Sequence, residues 1–139
     1  MTPADIIARA HACGARVLVN ADIALAQRSG ADGVHLTAQQ LRAYTQRPDV
    51  ALVGASCHNA AELRGAENLG ADFAVLGPVL PTPTHPGAVL LGWTGLQQLV
   101  DGARIPVFAL GGLQPADREQ ALVNGAHGLA MVRGAWAGC

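Results

Sequence analysis

One short pattern recurs five times along the chain: a glycine, an alanine, a variable residue and then an apolar run. The copies are Gly14-Ala15-Arg16-Val17, Gly30-Ala31-Asp32-Gly33-Val34, Gly70-Ala71-Asp72-Phe73, Gly102-Ala103-Arg104-Ile105 and Gly125-Ala126-His127-Gly128-Leu129. Each reads as a helix C-terminus closed by a left-handed glycine and leading straight into a buried strand. The strands that follow are short apolar runs: Val17 to Val19, Val34 to Leu36, Phe73 to Leu76, Pro106 to Leu110 and Leu129 to Val132. A sixth run, Ala51 to Ser56, has the same character without the glycine entry. Runs without alternation are the mark of strands covered on both faces. Between them lie helix signals. Residues about 4 to 12 place Ile6, Ile7 and Ala10 on one face. Thr37 with Gln40 and Asn59 with Glu62 have capping-box spacing, the second opening a helix that runs to Gly70. Pro115 suits the first turn of a helix that Gly125 closes.

Six strands alternating with helices predict a parallel α/β sheet, either open and doubly wound or part of a (β/α)8 TIM barrel. A complete barrel takes eight strands and roughly 250 residues, and this chain has 139. It also opens on a helix, so the expectation is a single domain over 1–139 that lacks the barrel's N-terminal strands.

Composition narrows the partners. A formal net charge of -1, with no basic run, argues against nucleic acid. The longest apolar runs are strand-sized, which argues against a membrane span, and no secretory leader is legible. Cys13, Cys57 and Cys139 have unrelated spacings and read as free thiols in a cytoplasmic protein.

Ligands of parallel α/β proteins sit at the carboxyl ends of the strands. In chain order these ends carry Asn20, Thr37 to Gln40, Ser56-Cys57-His58, Gly77-Pro78 with the loop to His85, Gly111-Gly112 and Arg133-Gly134. Gly111-Gly112 follows a strand and precedes a helix, an arrangement that suits a phosphate as well as a plain tight turn. Arg133 at the neighbouring strand end adds a charged donor. Ser56 and His58 are two apart on extended chain and share a direction that Cys57 does not, so a Cys57–His58 nucleophilic pair is not expected. His58 reads either as a proton shuttle or as a loop histidine capping the next helix. His35 reads as a core histidine, and His11 and His127 as structural. No His, Cys and carboxylate set has metal-ligand spacing. Residues 77–87 form a proline-stiffened loop that holds Thr82 and Thr84.

That loop, Gly77-Pro78-Val79-Leu80-Pro81-Thr82-Pro83-Thr84, resembles the Gly-Pro-hydrophobic-hydrophobic-Pro-Thr-x-Thr signature of the thiamine phosphate synthase/TenI family. Gly54-Ala55-Ser56-Cys57-His58 is similar to the family's Gly-Val-Ser-x-His. Asn20 with Ile23 to Ala26, Gly30 to Leu36, and Ala109 to Gly112 resemble further family blocks in the same order. The resemblance implies an eight-stranded barrel, of which this chain matches the third to eighth strands. It also implies substrate contacts at Asn20, Ser56, Thr82, Thr84, His85, Gly111, Gly112, Val132 and Arg133, the last in place of a family serine.

Departures shape the expected chemistry. Family synthases join an aminopyrimidine pyrophosphate to a thiazole phosphate with magnesium. The family's magnesium aspartates fall at Ala21 and Gln40, and its pyrophosphate lysine at His85. Loss of that side beside a retained thiazole-phosphate side resembles the TenI-type proteins, which isomerise a thiazole carboxylate phosphate and need no metal or cofactor. Their catalytic histidine matches His58. The expectation is therefore a thiazole tautomerase-like domain, with thiamine phosphate synthase, and then magnesium, as the alternative. A third reading is a non-catalytic module behind a Nudix hydrolase domain, since the chain resembles the C-terminal halves of proteins that carry such a domain in front of a TenI-like barrel. Open sheet edges would make the isolated chain prone to self-association.

Overall fold

The computed structural model describes residues 1–136, so Cys139 lies outside the described residues. Helix α1 (Pro3–Ala12) is followed by six strands alternating with five helices: β1 (Leu18–Asn20), α2 (Ile23–Ser29), β2 (Gly33–Leu36), α3 (Ala38–Ala43), β3 (Leu52–Cys57), α4 (Ala60–Leu69), β4 (Phe73–Leu76), α5 (Gly92–Asp101), β5 (Val107–Leu110), α6 (Arg118–Val123) and β6 (Gly128–Ala130). Single 3-10 turns, Pro115–Asp117 and Gly134–Trp136, precede α6 and follow β6.

All neighbouring strands pair in parallel, and their spatial order is the chain order from β1 to β6. A doubly wound sheet reverses its order at a switch point. None occurs here, so the sheet is the barrel type: an α/β arc of six strands.

Local chemistry sets the helix ends. Asp22 and Asn59 cap α2 and α4 by accepting from the backbone N–H three residues on. Thr37 and Gln40 close the expected capping box. Thr2 and Asp5 close another at α1, which the sequence reading missed. Four of the repeat glycines, Gly14, Gly30, Gly70 and Gly125, have positive φ. Gly102 departs, with φ -91°, because the chain leaves α5 through a tight turn in which the Ala103 N–H reaches the Val100 carbonyl.

The expectation that every strand is covered on both faces is corrected. Val34, Leu36, Val53, Ala55, Ala74, Leu76, Val107 and Ala109 face the helices and are fully buried. Their alternates, His35, Ser56, Phe73, Val75, Phe108 and Leu110, are only half-buried. Among the described residues β1 and β6 do not pair, so the arc stays open and its inner face reaches solvent. That face carries an aromatic cluster: Phe73 stands edge-on to Phe108 at 5.7 Å and tilts over His35 at 6.0 Å. Gly54 makes room for it, since a Cβ there would lie 2.7 Å from His35 Nδ1.

Candidate functional site

The carboxyl ends of β4, β5 and β6 build the first part of the site. Gly111 and Gly112 leave β5 with φ 111° and 65°, conformations that only glycine takes without strain. The turn also presses on the preceding loop: a Cβ on Gly111 would sit 2.6 Å from Pro78 Cα. The Val79 N–H donates to the Leu110 carbonyl at 2.9 Å and the Leu80 N–H to Gly111 at 3.0 Å, so the loop's first residues extend the sheet. Its other end is pinned where the Leu91 and Gly92 N–H groups reach the Pro78 and Val79 carbonyls. Val79 is fully buried, while Thr82, Thr84 and His85 are carried on the outer part of the loop.

Between this loop and the ends of β5 and β6 lies a cavity of about 210 Å³. Thr82, Thr84, His85, Gly111, Gly112, Val132 and Arg133 line it. Two expectations about this region are corrected. Strand β6 ends at Ala130, so Val132 is an exposed rim residue and not part of the strand. Nor is the end of the helix that follows Gly112 open: Leu113 and Gln114 intervene before the expected start at Pro115, and the Asp117 carboxylate already accepts from the Gln114 N–H at 2.8 Å. An anion here would meet the glycine turn, the threonine hydroxyls and Arg133 rather than an open helix end.

A second cavity of about 230 Å³ lies at the ends of β2 to β4. Ser56, His58, Thr37 and Pro78 line it, and it shares His85, Leu110 and Gly111 with the first. Ser56 Oγ is 2.8 Å from His35 Nε2. Burial lowers the His35 pKa, which favours the neutral ring. Sequence reading set His35 aside as core. The signal was its alternation with Val34 and Leu36, which puts it on the inner face. His58 Nδ1 lies 2.9 Å from the Glu62 carboxylate, which also accepts from the His58 backbone N–H. Glu62 therefore does not close the expected box on Asn59. Cys57 points the other way, buried, with its thiol pushed up to about 12 by burial and the nearby Glu62 and Glu67. It is no nucleophile. Asn20 is exposed at the end of β1 and lines neither cavity.

The family model described as thiamine monophosphate synthase matches residues 3–135. The chain belongs to the thiamine monophosphate synthase family. A putative thiamine-phosphate synthase of Geobacter sulfurreducens is 40% identical over 125 residues, which is 86% of this chain and 58% of that protein. The thiamine-phosphate synthase of Thioalkalivibrio sulfidiphilus is 37% identical over 128 residues, 89% of this chain and 61% of the relative. The solved thiamine phosphate pyrophosphorylase from Pyrococcus furiosus superposes with a TM-score of 0.75 at 27% identity, covering 94% of this chain and 63% of that one. The chain thus spans about three-fifths of the length of these family members.

The magnesium that the family resemblance attaches to Ala21 and Gln40 does not fit the residues present. Ala21 has no side-chain donor. Gln40 Oε1 accepts from the Thr37 N–H at 3.0 Å, and its Nε2 donates to the Ala21 carbonyl at 2.8 Å. Both ends of the amide are committed within the fold. Among the described residues no three His, Cys, Asp or Glu side chains cluster as a metal site. No helix among them is long and apolar enough to cross a membrane.

Proposed function

We propose that this chain acts in thiamine biosynthesis by holding a phosphorylated thiazole in the cavity between the residue 77–87 loop and Gly111-Gly112. One observation carries the reading: Thr82, Thr84, His85, Gly111, Gly112, Val132 and Arg133, distant in sequence, surround a single cavity. Hydroxyls, a glycine turn and a guanidinium are the donors that a phosphate monoester takes.

The names of the relatives support thiamine phosphate synthesis as the reaction, ahead of the isomerisation expected from the sequence departures. The second cavity adjoins the first along His85, Leu110 and Gly111, which suits a second reactant beside the thiazole. A second reading has its own observation. The Gln40–Ala21 hydrogen bond occupies the place of the family's metal carboxylates, and proton transfer within the thiazole by His58 needs no metal.

The test has two arms. Thiazole phosphate is titrated into the protein by calorimetry, and saturable binding is expected. The protein is then given thiazole phosphate with aminopyrimidine pyrophosphate, or thiazole carboxylate phosphate alone. Thiamine phosphate formation supports the synthase reading, and isomerisation abolished in His58→Asn supports the tautomerase reading. Binding without turnover would leave a ligand-holding module, and absence of binding would overturn the proposal.

A further inference from the structure

We propose that Glu62 is the positioning residue of His58, holding the ring proton on Nδ1 and leaving Nε2 bare as the proton acceptor. The inference rests on the proton-transfer reading above.

Glu62 stands in the first turn of α4, and its side chain is 10% exposed. One carboxylate oxygen accepts from the His58 backbone N–H at 2.8 Å and lies 2.9 Å from His58 Nδ1. The other accepts from Arg42 Nη1 at 3.0 Å, across the contact between α3 and α4. An ionised carboxylate only accepts, so its bond to the ring requires the hydrogen on Nδ1. The neutral ring then carries its lone pair on Nε2. Two bonds to one residue, through main chain and ring, also fix the ring's rotation.

Local sequence makes this arrangement available. Asn59 Oδ1 accepts from the Glu62 N–H at 2.9 Å and caps α4 alone, which releases the Glu62 side chain from capping. The i,i+4 spacing from His58 then brings carboxylate and ring together. Arg42 holds the far oxygen, so the carboxylate is oriented from behind as it orients the histidine. A carboxylate behind a catalytic imidazole fixes its tautomer and steadies the imidazolium formed in the reaction.

The step balances within the ring system. A proton leaves a saturated carbon of the thiazole ring for Nε2, and the electron pair of that bond moves into the ring as it becomes aromatic. The pair displaced from the conjugated double bond takes the proton back from Nε2 at a carbon attached to the ring. Nothing is oxidised or reduced.

Nitrogen-15 NMR of the wild-type protein, at about pH 9 where an ordinary imidazole is neutral, reads the tautomer without reference to activity. The expected result is a His58 proton on Nδ1 and a bare Nε2. In Glu62→Gln, which keeps the shape of the side chain, the tautomers should mix and the isomerisation kcat fall at least about tenfold with KM unchanged. A wild-type proton on Nε2, or an unchanged tautomer in Glu62→Gln, would overturn the role of Glu62. The expected tautomer in a protein with no isomerase activity would overturn the reaction reading while supporting the orientation of His58.

Discussion

His35 Nε2 lies 2.8 Å from Ser56 Oγ, so a histidine in the middle of β2 is tied to the wall of the second cavity one strand away. Burial lowers the pKa of this ring, and the unfolded chain therefore binds its proton more readily than the folded one. The associated stability is present above the ordinary imidazole value of about 6.5 and is lost as pH falls below it. Denaturant titrations from pH 7.5 down to about 5 should show the midpoint falling, with a slope of at most about 1.4 kcal/mol per pH unit from this group. His35→Gln should flatten that slope. An unchanged slope would show that His35 does not carry it.

Among the described residues Ala21 is the non-glycine residue with positive φ, at 64°, and Gln40 holds its carbonyl. Left-handed backbone costs an alanine about 1 kcal/mol relative to glycine. Ala21→Gly should therefore raise stability by about 0.5 to 1 kcal/mol, and Gln40→Ala should lower it by about 1 kcal/mol. Chemical denaturation of the two variants and the double variant checks both signs.

Glycine substitutions should separate the site from its scaffold. Gly111→Ala meets Pro78 and a φ of 111°, so it should cost about 2 to 4 kcal/mol and abolish thiazole phosphate binding. Gly65, inside α4, has nothing within 4 Å of an added Cβ. Gly65→Ala should stabilise the protein by about 0.5 to 1 kcal/mol and leave binding unchanged. Thermal melts paired with calorimetry read both effects.

Arg133 is exposed at the cavity rim, so water and salt weaken its hold on a phosphate. Arg133→Ala should weaken thiazole phosphate binding about tenfold at low salt, and the difference should narrow as salt is raised. Equal affinities at low salt would remove Arg133 from the site.

The half-buried inner face and the unpaired edges of β1 and β6 should drive association in solution. Sedimentation velocity across a concentration series should show species larger than a monomer. A monomer that melts cooperatively at every concentration would refute this.

The repeat of glycine, alanine and an apolar run made the α/β class and the alternation of helices with strands legible, because each copy encodes a helix end and a strand start together. Strand ends were less clear. Met131 and Val132 are as apolar as Leu129, and only the pairing of β6 with β5 shows that the strand stops at Ala130. The cavity around Arg133 was readable from the order of strand ends, since parallel strands bring their carboxyl ends to one side. The partners of His58 and Ser56 were not. Glu62 had an equally good local use as a cap, and His35 looked apolar by its neighbours. Those choices are settled by contacts between elements, which a linear pattern does not contain. Coverage of both strand faces failed for a related reason: composition describes a strand's own side chains and says nothing of whether anything lies opposite.

Because every strand pairs only with its neighbours in sequence, no existing hydrogen bond must break for another β/α unit to join either edge. The sheet grows as a ladder does, rung after rung, with the register at one end indifferent to additions at the other. Each unit brings its own glycine turn, its own outward helix and one strand end for the rim. A fold assembled this way gathers a binding site by lengthening, and the chemistry of each new rim position can change while the rungs beneath keep their pairing.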